Sequence, residues 1–251
     1  MCMKNQTIEP PEVQEIHKNH IVALLGNPNI GKTTIFNSLT GSYKTVGNWN
    51  GVTVDKVVGS LLQGVGQLVD LPGVYDFTPQ SLDEAVISNY FLENEMDSIV
   101  NVVDAAHLRS NLHLTIQALE YEKPMIIALN MIDKLEQTGR KINVEKLTQR
   151  LSTHVISTIA RKNVGREQLI NSIQLCEKNE NKFHLYYGLH IEKAIGKIEK
   201  LLDEKNLGVP SRWLAIQYLL DNDVIIQFLK ENVDETKVRK IADEAQVHYE
   251  K

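Results

Sequence analysis

Residues 26–33 read Gly-Asn-Pro-Asn-Ile-Gly-Lys-Thr, a complete G-x-x-x-x-G-K-[ST] string, and its flanks leave it few ways to fold. The apolar run Ile21-Val22-Ala23-Leu24-Leu25 precedes it and the helical pattern Thr34-Ile35-Phe36-Asn37-Ser38-Leu39 follows. A strand must deliver such a loop and a helix must leave it, so that backbone N–H groups and the helix N-terminus converge on phosphate oxygens. Gly26 and Gly31 permit the wrapped backbone, and Asn27, Pro28, Asn29 and Ile30 form the wall between them. Lys32 reaches for the β- and γ-phosphates, Thr33 offers a hydroxyl to Mg²⁺, and Thr34 continues the first helical turn. This string implies a nucleoside triphosphate.

Apolar or β-branched runs at 20–25, 52–58, 66–70, 98–103, 124–130 and 153–158 alternate with helical patterns near 32–40, 82–94, 109–121, 143–151 and 165–177. Alternation of this kind predicts an α/β domain, a mostly parallel sheet with helices on both faces, and ligands at the carboxyl ends of its strands. Only Gly59 to Val65 separates the second run from the third, which predicts an antiparallel hairpin at the sheet edge. After a polar stretch beginning at Glu177, apolar positions recur at helical spacing and predict about four helices. The organisation expected is a flexible extension over 1–19, a Ras-like P-loop nucleotide domain over 20–178 and a small all-helical subdomain over 179–251. The chain has 251 residues, and its net charge of −5 counts against a nucleic-acid partner. Cys2 and Cys176 have no metal-ligand spacing, and Cys176 belongs to an apolar helix face that predicts a buried thiol. The polar start is unlike a secretory signal and no run is long enough to span a bilayer, which predicts a cytosolic segment. His17, His20 and Cys2 lie close together in sequence but are expected in the extension rather than in an iron site.

Three further motifs select the base and the switch. Asp70-Leu71-Pro72-Gly73 closes the strand Leu68-Val69; Asp70 can hold a water on Mg²⁺ while the Gly73 N–H meets the γ-phosphate. Asn130-Met131-Ile132-Asp133 closes the strand 125–129, and the Asp133 carboxylate can accept from both donors of the guanine edge. Adenine lacks that donor pair, and a buried carboxylate left unpaired costs about 2–5 kcal/mol. Met131 stands where a lysine is usual and its apolar stem can cover one face of the base. Ser157-Thr158-Ile159-Ala160 follows the last strand, with the Ala160 N–H as donor to the guanine O6. Thr53, in Gly47-Asn48-Trp49-Asn50-Gly51-Val52-Thr53, lies where a switch loop passes over γ-phosphate and Mg²⁺, and its glycines and asparagines predict a mobile segment. Thr33, Thr53 and Asp70 are thus the Mg²⁺ candidates, and Asn29, Thr53 and Gly73 the catalytic ones.

Gly73 is followed by Val74, whose side chain cannot orient a water as the glutamine of many regulatory GTPases does. Two readings stand: hydrolysis is very slow, or another group supplies transition-state charge. Asn29 offers its side-chain oxygen to a monovalent cation, or it only stabilises the loop.

The loop through Asn37, the segment Val46-Gly47-Asn48-Trp49-Asn50-Gly51-Val52-Thr53-Val54, Asp70 to Tyr75, Asn101-Val102-Val103-Asp104-Ala105 and Ala128 to Asp133 together resemble the cytosolic GTPase region of the ferrous iron transport protein B family. The tryptophan of the switch segment is the most distinctive match. The resemblance runs from about Ile21 to Gly165, and the helical tail fits that family's second cytosolic subdomain. It implies slow conversion of GTP to GDP with Mg²⁺, at the cytoplasmic face of the bacterial inner membrane. It also implies regulation of Fe²⁺ passage through a following polytopic membrane portion, with Fe²⁺ not bound in this region. In potassium-activated relatives the position of Asn29 binds K⁺ together with switch-loop carbonyls that would here belong to Gly47 and Trp49, Thr53 is the switch threonine, and the helical subdomain tightens GDP binding. Ile159, where serine is usual, and Asn50, where proline or alanine is frequent, depart from the pattern. A soluble GTPase assisting RNA or ribosome assembly is the alternative, since it shares the phosphate loop and the apolar residue after D-x-x-G. A sensor with negligible turnover is a third.

Overall fold

The computed structural model describes residues 20–49, 54–79, 82–176 and 183–247. Its strands are β1 (Ile21–Gly26), β2 (Thr40–Asn48), β3 (Asp55–Leu61), β4 (Gln67–Asp70), β5 (Ser98–Asp104), β6 (Met125–Asn130) and β7 (His154–Ser157). They form one sheet in the order β2-β3-β4-β1-β5-β6-β7. The run β4-β1-β5-β6-β7 is parallel, while β3 pairs antiparallel with both β2 and β4. Parallel pairing puts Gly26, Asp70, Asp104, Asn130 and Ser157 at the same end of the sheet. The phosphate loop, Asp70–Gly73, Asn130–Asp133 and the turn after Ser157 therefore open on one rim.

Between and beyond the strands lie α1 (Lys32–Leu39), α2 (Leu82–Glu93), α3 (Leu108–Leu119), α4 (Ile132–Gln137), α5 (Val144–Leu151), α6 (Arg166–Cys176), α7 (Leu189–Asp203), α8 (Ser211–Leu219), α9 (Asp223–Asn232) and α10 (Glu235–Val247). Strands covered on both faces read as unbroken apolar runs, because alternate residues enter different cores. Val22 and Leu24 pack with Ile35, Phe36 and Leu39 of α1 and with Leu169, Ile170, Ile173 and Cys176 of α6. Ala23 and Leu25 enter the opposite core with α2, α3 and the helices after residue 188. Cys176 is buried, as its position on the α6 face implied.

The expected edge hairpin is corrected. β3 and β4 do form an antiparallel pair, but β2 lies outside them and is the edge. Gly47 and Asn48, expected in a mobile loop, pair with Lys56 and Asp55 in the β2–β3 ladder. From Lys44 to Asn48 the side chains of β2 are exposed, so no alternation of buried residues announces the strand. Over those residues main-chain pairing with β3 defines the strand. His20, assigned by sequence to the extension, is instead buried and hydrogen-bonded to Ser98 Oγ at 2.9 Å. Cys2 and His17 lie outside the described residues.

α7 to α10 are held to the nucleotide domain through α8. Trp213 is fully buried, stacked on Phe91 and edge-on to Phe77 and Tyr121, with centroids 5.8, 5.6 and 5.1 Å away. Its neighbour Arg212 donates to Glu120 Oε2 at 3.0 Å, to Glu192 Oε2 at 3.1 Å and to the Leu185 carbonyl at 2.9 Å. Burial opposes ionisation of Glu192, but the Arg212 guanidinium and the Tyr187 N–H outweigh it and hold its carboxyl below the usual range. Such stabilisation is present above the ordinary glutamate pKa and is lost as pH falls through the lower folded value. Arg212→Met strands two carboxylates at this junction and is expected to cost about 3–5 kcal/mol at neutral pH. Urea unfolding across a pH series checks both points: the parent loses stability toward acid, and the variant gains it.

Candidate functional site

The phosphate loop is shaped by what its glycines exclude. Gly31 caps α1 in the left-handed region (φ +88°), and a Cβ there would lie 2.6 Å from Asn130 Nδ2. A Cβ on Gly26 would lie 2.6 Å from Ile30 Cδ1, and one on Gly73 would lie 3.1 Å from Pro28 Cα. The D-x-x-G turn thus backs onto the loop, and the Val74 N–H donates to the Gly26 carbonyl at 3.3 Å. Asn27 is buried, while Asn29 is exposed with φ +62°. Ile30 packs into the α1–α6 core and anchors the loop from below. Thr33 and Thr34 are exposed at the start of α1. The Lys32 ammonium donates to Asp70 Oδ1 and to the Leu71 carbonyl, so the two charged residues of the phosphate end pair with each other across β1 and β4.

Asn130 ties this loop to the base end. Its Nδ2 donates to the Ile30 carbonyl at 2.9 Å, and its Oδ1 accepts from Thr158 Oγ1 at 3.2 Å and from the Ala160 N–H at 3.1 Å. The Ala160 N–H, the expected donor to the guanine O6, is here hydrogen-bonded to Asn130. Met131 takes the left-handed conformation (φ +61°) that starts α4, and Asp133 stands in the first turn of that helix. Ser157 ends β7 beside Leu129 of β6. A 3₁₀ turn, Ala160–Lys162, then carries Arg161 back to Asp133, where Nη2 donates to Oδ2. That hydrogen bond, opposed by some desolvation, holds the Asp133 carboxyl below its ordinary range. Arg161 went unnoticed in the sequence, where a lone arginine after a loop motif carries no signal.

The switch segment is only partly described. Gly47 lies in the edge strand, and the Trp49 N–H donates to the Val54 carbonyl at 2.9 Å. The Trp49 ring is buried edge-on to Tyr90 of α2 at 5.3 Å, with the Lys56 ammonium 4.7 Å above it. The mobility expected of this segment is corrected as far as Trp49: a ladder and an aromatic anchor hold it. Thr53 and Asn50 lie outside the described residues. Val74 is buried in the core, which is the structural meaning of the missing polar residue.

Residues 20–173 match the family model described as Ferrous iron transport protein B, and residues 187–251 match the FeoB cytosolic helical domain. The chain belongs to the ferrous iron transport protein B family. The FeoB relatives named Fe(2+) transporter FeoB include one from Staphylococcus aureus (strain MSSA476), 43% identical over 213 residues, covering 84% of this chain and 32% of that protein. Another, from Escherichia coli (strain K12), is 39% identical over 213 residues, covering 82% and 27% respectively. The chain therefore spans about a third or less of the curated FeoB relatives it matches. A mutant of S. thermophilus NFeoB bound to GDP superposes with a TM-score of 0.84 at 36% identity, covering 92% of this chain and 89% of that one. The cytosolic domain of the T. maritima FeoB iron transporter in its GMPPNP form gives 0.79 at 32%, covering 90% and 97%. The α/β domain with its appended helical unit is the FeoB cytosolic architecture.

Asn130 links three segments of the rim, and removing its amide strands buried partners on two of them. Asn130→Ala is expected to cost about 2–3 kcal/mol of unfolding free energy, each stranded group contributing about 1–3 kcal/mol. Urea denaturation checks the value.

Proposed function

We propose that this chain is the guanine-nucleotide-binding, slowly GTP-hydrolysing region of a ferrous iron transporter, and that it regulates Fe²⁺ passage through a membrane portion of the same protein. One observation carries the reading: Asn130 fastens a complete phosphate loop to the turn after β7, and Asp133 stands three residues beyond Asn130 in the first turn of α4, so the two ends of a guanine nucleotide site share one anchor. Family membership favours iron uptake over RNA or ribosome assembly. The similar S. thermophilus NFeoB mutant is bound to GDP and the T. maritima FeoB cytosolic domain is in its GMPPNP form, in agreement with a guanine nucleotide here.

The residues fit a nucleotide with Mg²⁺. Gly26, Gly31 and Gly73 stand where a Cβ would collide with Ile30, Asn130 and Pro28, so the loop keeps its close-wrapped course, and it leaves Thr33 exposed at the start of α1 while the Lys32 ammonium reaches Asp70 at the end of β4. The loop residues from Gly26 to Thr34 other than Pro28 have N–H groups to offer the phosphates, and Lys32 exchanges Asp70 for the β- and γ-oxygens. Thr33, Asp70 and, by sequence position, Thr53 would hold the Mg²⁺, which would supply positive charge against the phosphate oxygens. Gly73 N–H meets the γ-phosphate, while Asp133, with Met131 and the Ser157–Ala160 turn around it, recognises the base. Slowness follows from Val74, whose buried side chain leaves the attacking water without an orienting group. Asn29, exposed on the loop, is the protein ligand we assign to an activating K⁺, with the carbonyls of Gly47 and Trp49 as further donors. The helical unit, joined through Trp213 and Arg212, adjusts GDP affinity. The region works at the cytoplasmic face of the inner membrane without binding Fe²⁺ itself; no described helix is long and apolar enough to cross a bilayer.

Asp133→Asn is expected to weaken GDP binding at least about tenfold, the loss of a charge-assisted pair. It should also create affinity for xanthosine diphosphate, whose C2 carbonyl accepts from the new amide. Titration with fluorescent nucleotides checks this, and unchanged GDP affinity refutes the base assignment. GTP hydrolysis is expected to be faster in K⁺ than in Na⁺, with Asn29→Ala removing the difference. Equal turnover in both salts at normal nucleotide affinity refutes the cation role.

A further inference from the structure

Arg161 and Asp133 form an ion pair between two motifs that both face the base. Asp133 comes from the first turn of α4 and Arg161 from the 3₁₀ turn after β7. The Asp133 side chain is 13% exposed and that of Arg161 is 61% exposed, so the carboxylate is fixed and the guanidinium is held only at its tip. The chemistry of the pair is the telling part. A guanine ring presents N1–H beside its exocyclic amine on C2, which is a cyclic guanidine. An arginine side chain offers a carboxylate the same planar fork of donors. Arg161 donates through one arm of that fork, from Nη2, and so occupies Oδ2, one of the two carboxylate oxygens the base would use.

We propose that Arg161 is an intramolecular competitor for the base-recognition carboxylate, and that it sets guanine-nucleotide affinity by having to be displaced when the base docks. This inference rests on the guanine reading of the site above. The displaced guanidinium returns to water at small cost because most of it is already there. A guanine edge replaces the lost donors in kind. An adenine edge has no adjacent N–H pair, cannot take over the carboxylate and leaves Arg161 in place. The competitor thus lowers affinity for the correct base modestly while keeping Asp133 closed to the wrong one. Arg212 shows the contrast: nearly buried between two carboxylates, it is a structural cation with nowhere to go.

Competition has a kinetic signature. A group that is off the carboxylate in the bound state slows association and leaves dissociation alone. With GDP carrying a fluorescent label on the ribose, Arg161→Ala is expected to raise the association rate and lower Kd about threefold, the scale of a partly exposed ion pair, with the dissociation rate unchanged. Arg161→Lys, which keeps the charge and loses the fork, should fall between. In an Asp133→Asn background measured with xanthosine diphosphate, Arg161→Ala should have no effect on association. Faster dissociation from Arg161→Ala would overturn the proposal, because Arg161 would then be a contact to bound nucleotide. Unchanged association and dissociation would overturn it equally. If Asp133→Asn itself leaves GDP binding intact, the guanine reading fails first, and the two failures are distinguished.

Discussion

The side-chain amide of Asn130 is the interaction on which the site depends. Its donor holds the phosphate loop and its acceptor holds the turn after β7, while its own strand, β6, is buried on both faces. Three loops that are far apart in sequence thereby acquire one common reference point. An amide suits this place because it carries donor and acceptor in one plane, and a buried amide with all its partners is rigid. Gly31 is part of the same arrangement, since any side chain there would push against the amide nitrogen. A glycine in the loop and an asparagine about a hundred residues later are thus one structural element.

The parts of this architecture that were legible in the sequence are those where chemistry and burial coincide. β1, β4, β5, β6 and β7 are apolar because both sheet faces are covered, and the motifs at their ends need particular residue types for phosphate and base. The edge strand β2 was not legible, because backbone pairing leaves no side-chain signature. Nor was the anchoring of Trp49: the glycines and asparagines around it read as a loop, whereas the ring is set by a partner, Tyr90, about forty residues away. Arg161 escaped for a similar reason, since its meaning comes from the carboxylate opposite it. The acceptor that Asn130 offers to the Ala160 N–H is likewise invisible in the sequence, because the two residues are about thirty positions apart.

The helices after residue 188 are continuous with one of the two cores of the sheet. Ile195, Ile198 and Leu202 of α7 and Trp213 of α8 share a cluster with Ala23 and Leu25 of the central strand. A second set of contacts is polar: Asn222 caps α9 by accepting from the Val224 and Ile225 N–H groups, and its amide nitrogen donates to the Phe77 carbonyl at 2.7 Å and to Ser88 Oγ at 3.1 Å. The helical unit therefore grips the chain segment that leaves the D-x-x-G turn.

That grip limits slack. The Val74 N–H is held to the Gly26 carbonyl, and Phe77 is held at both ends, its N–H by Gln117 Oε1 and its carbonyl by Asn222 and Ser88. Tyr75 and Asp76 are all that remains between the two attachments, and a residue of chain reaches only about 3.3–3.6 Å when fully extended. The segment behaves as a short strap with two buckles. Travel of the turn beyond what those two residues can absorb must unfasten one buckle, and the second is shared between the nucleotide domain, through Gln117 and Ser88, and the helical unit, through Asn222.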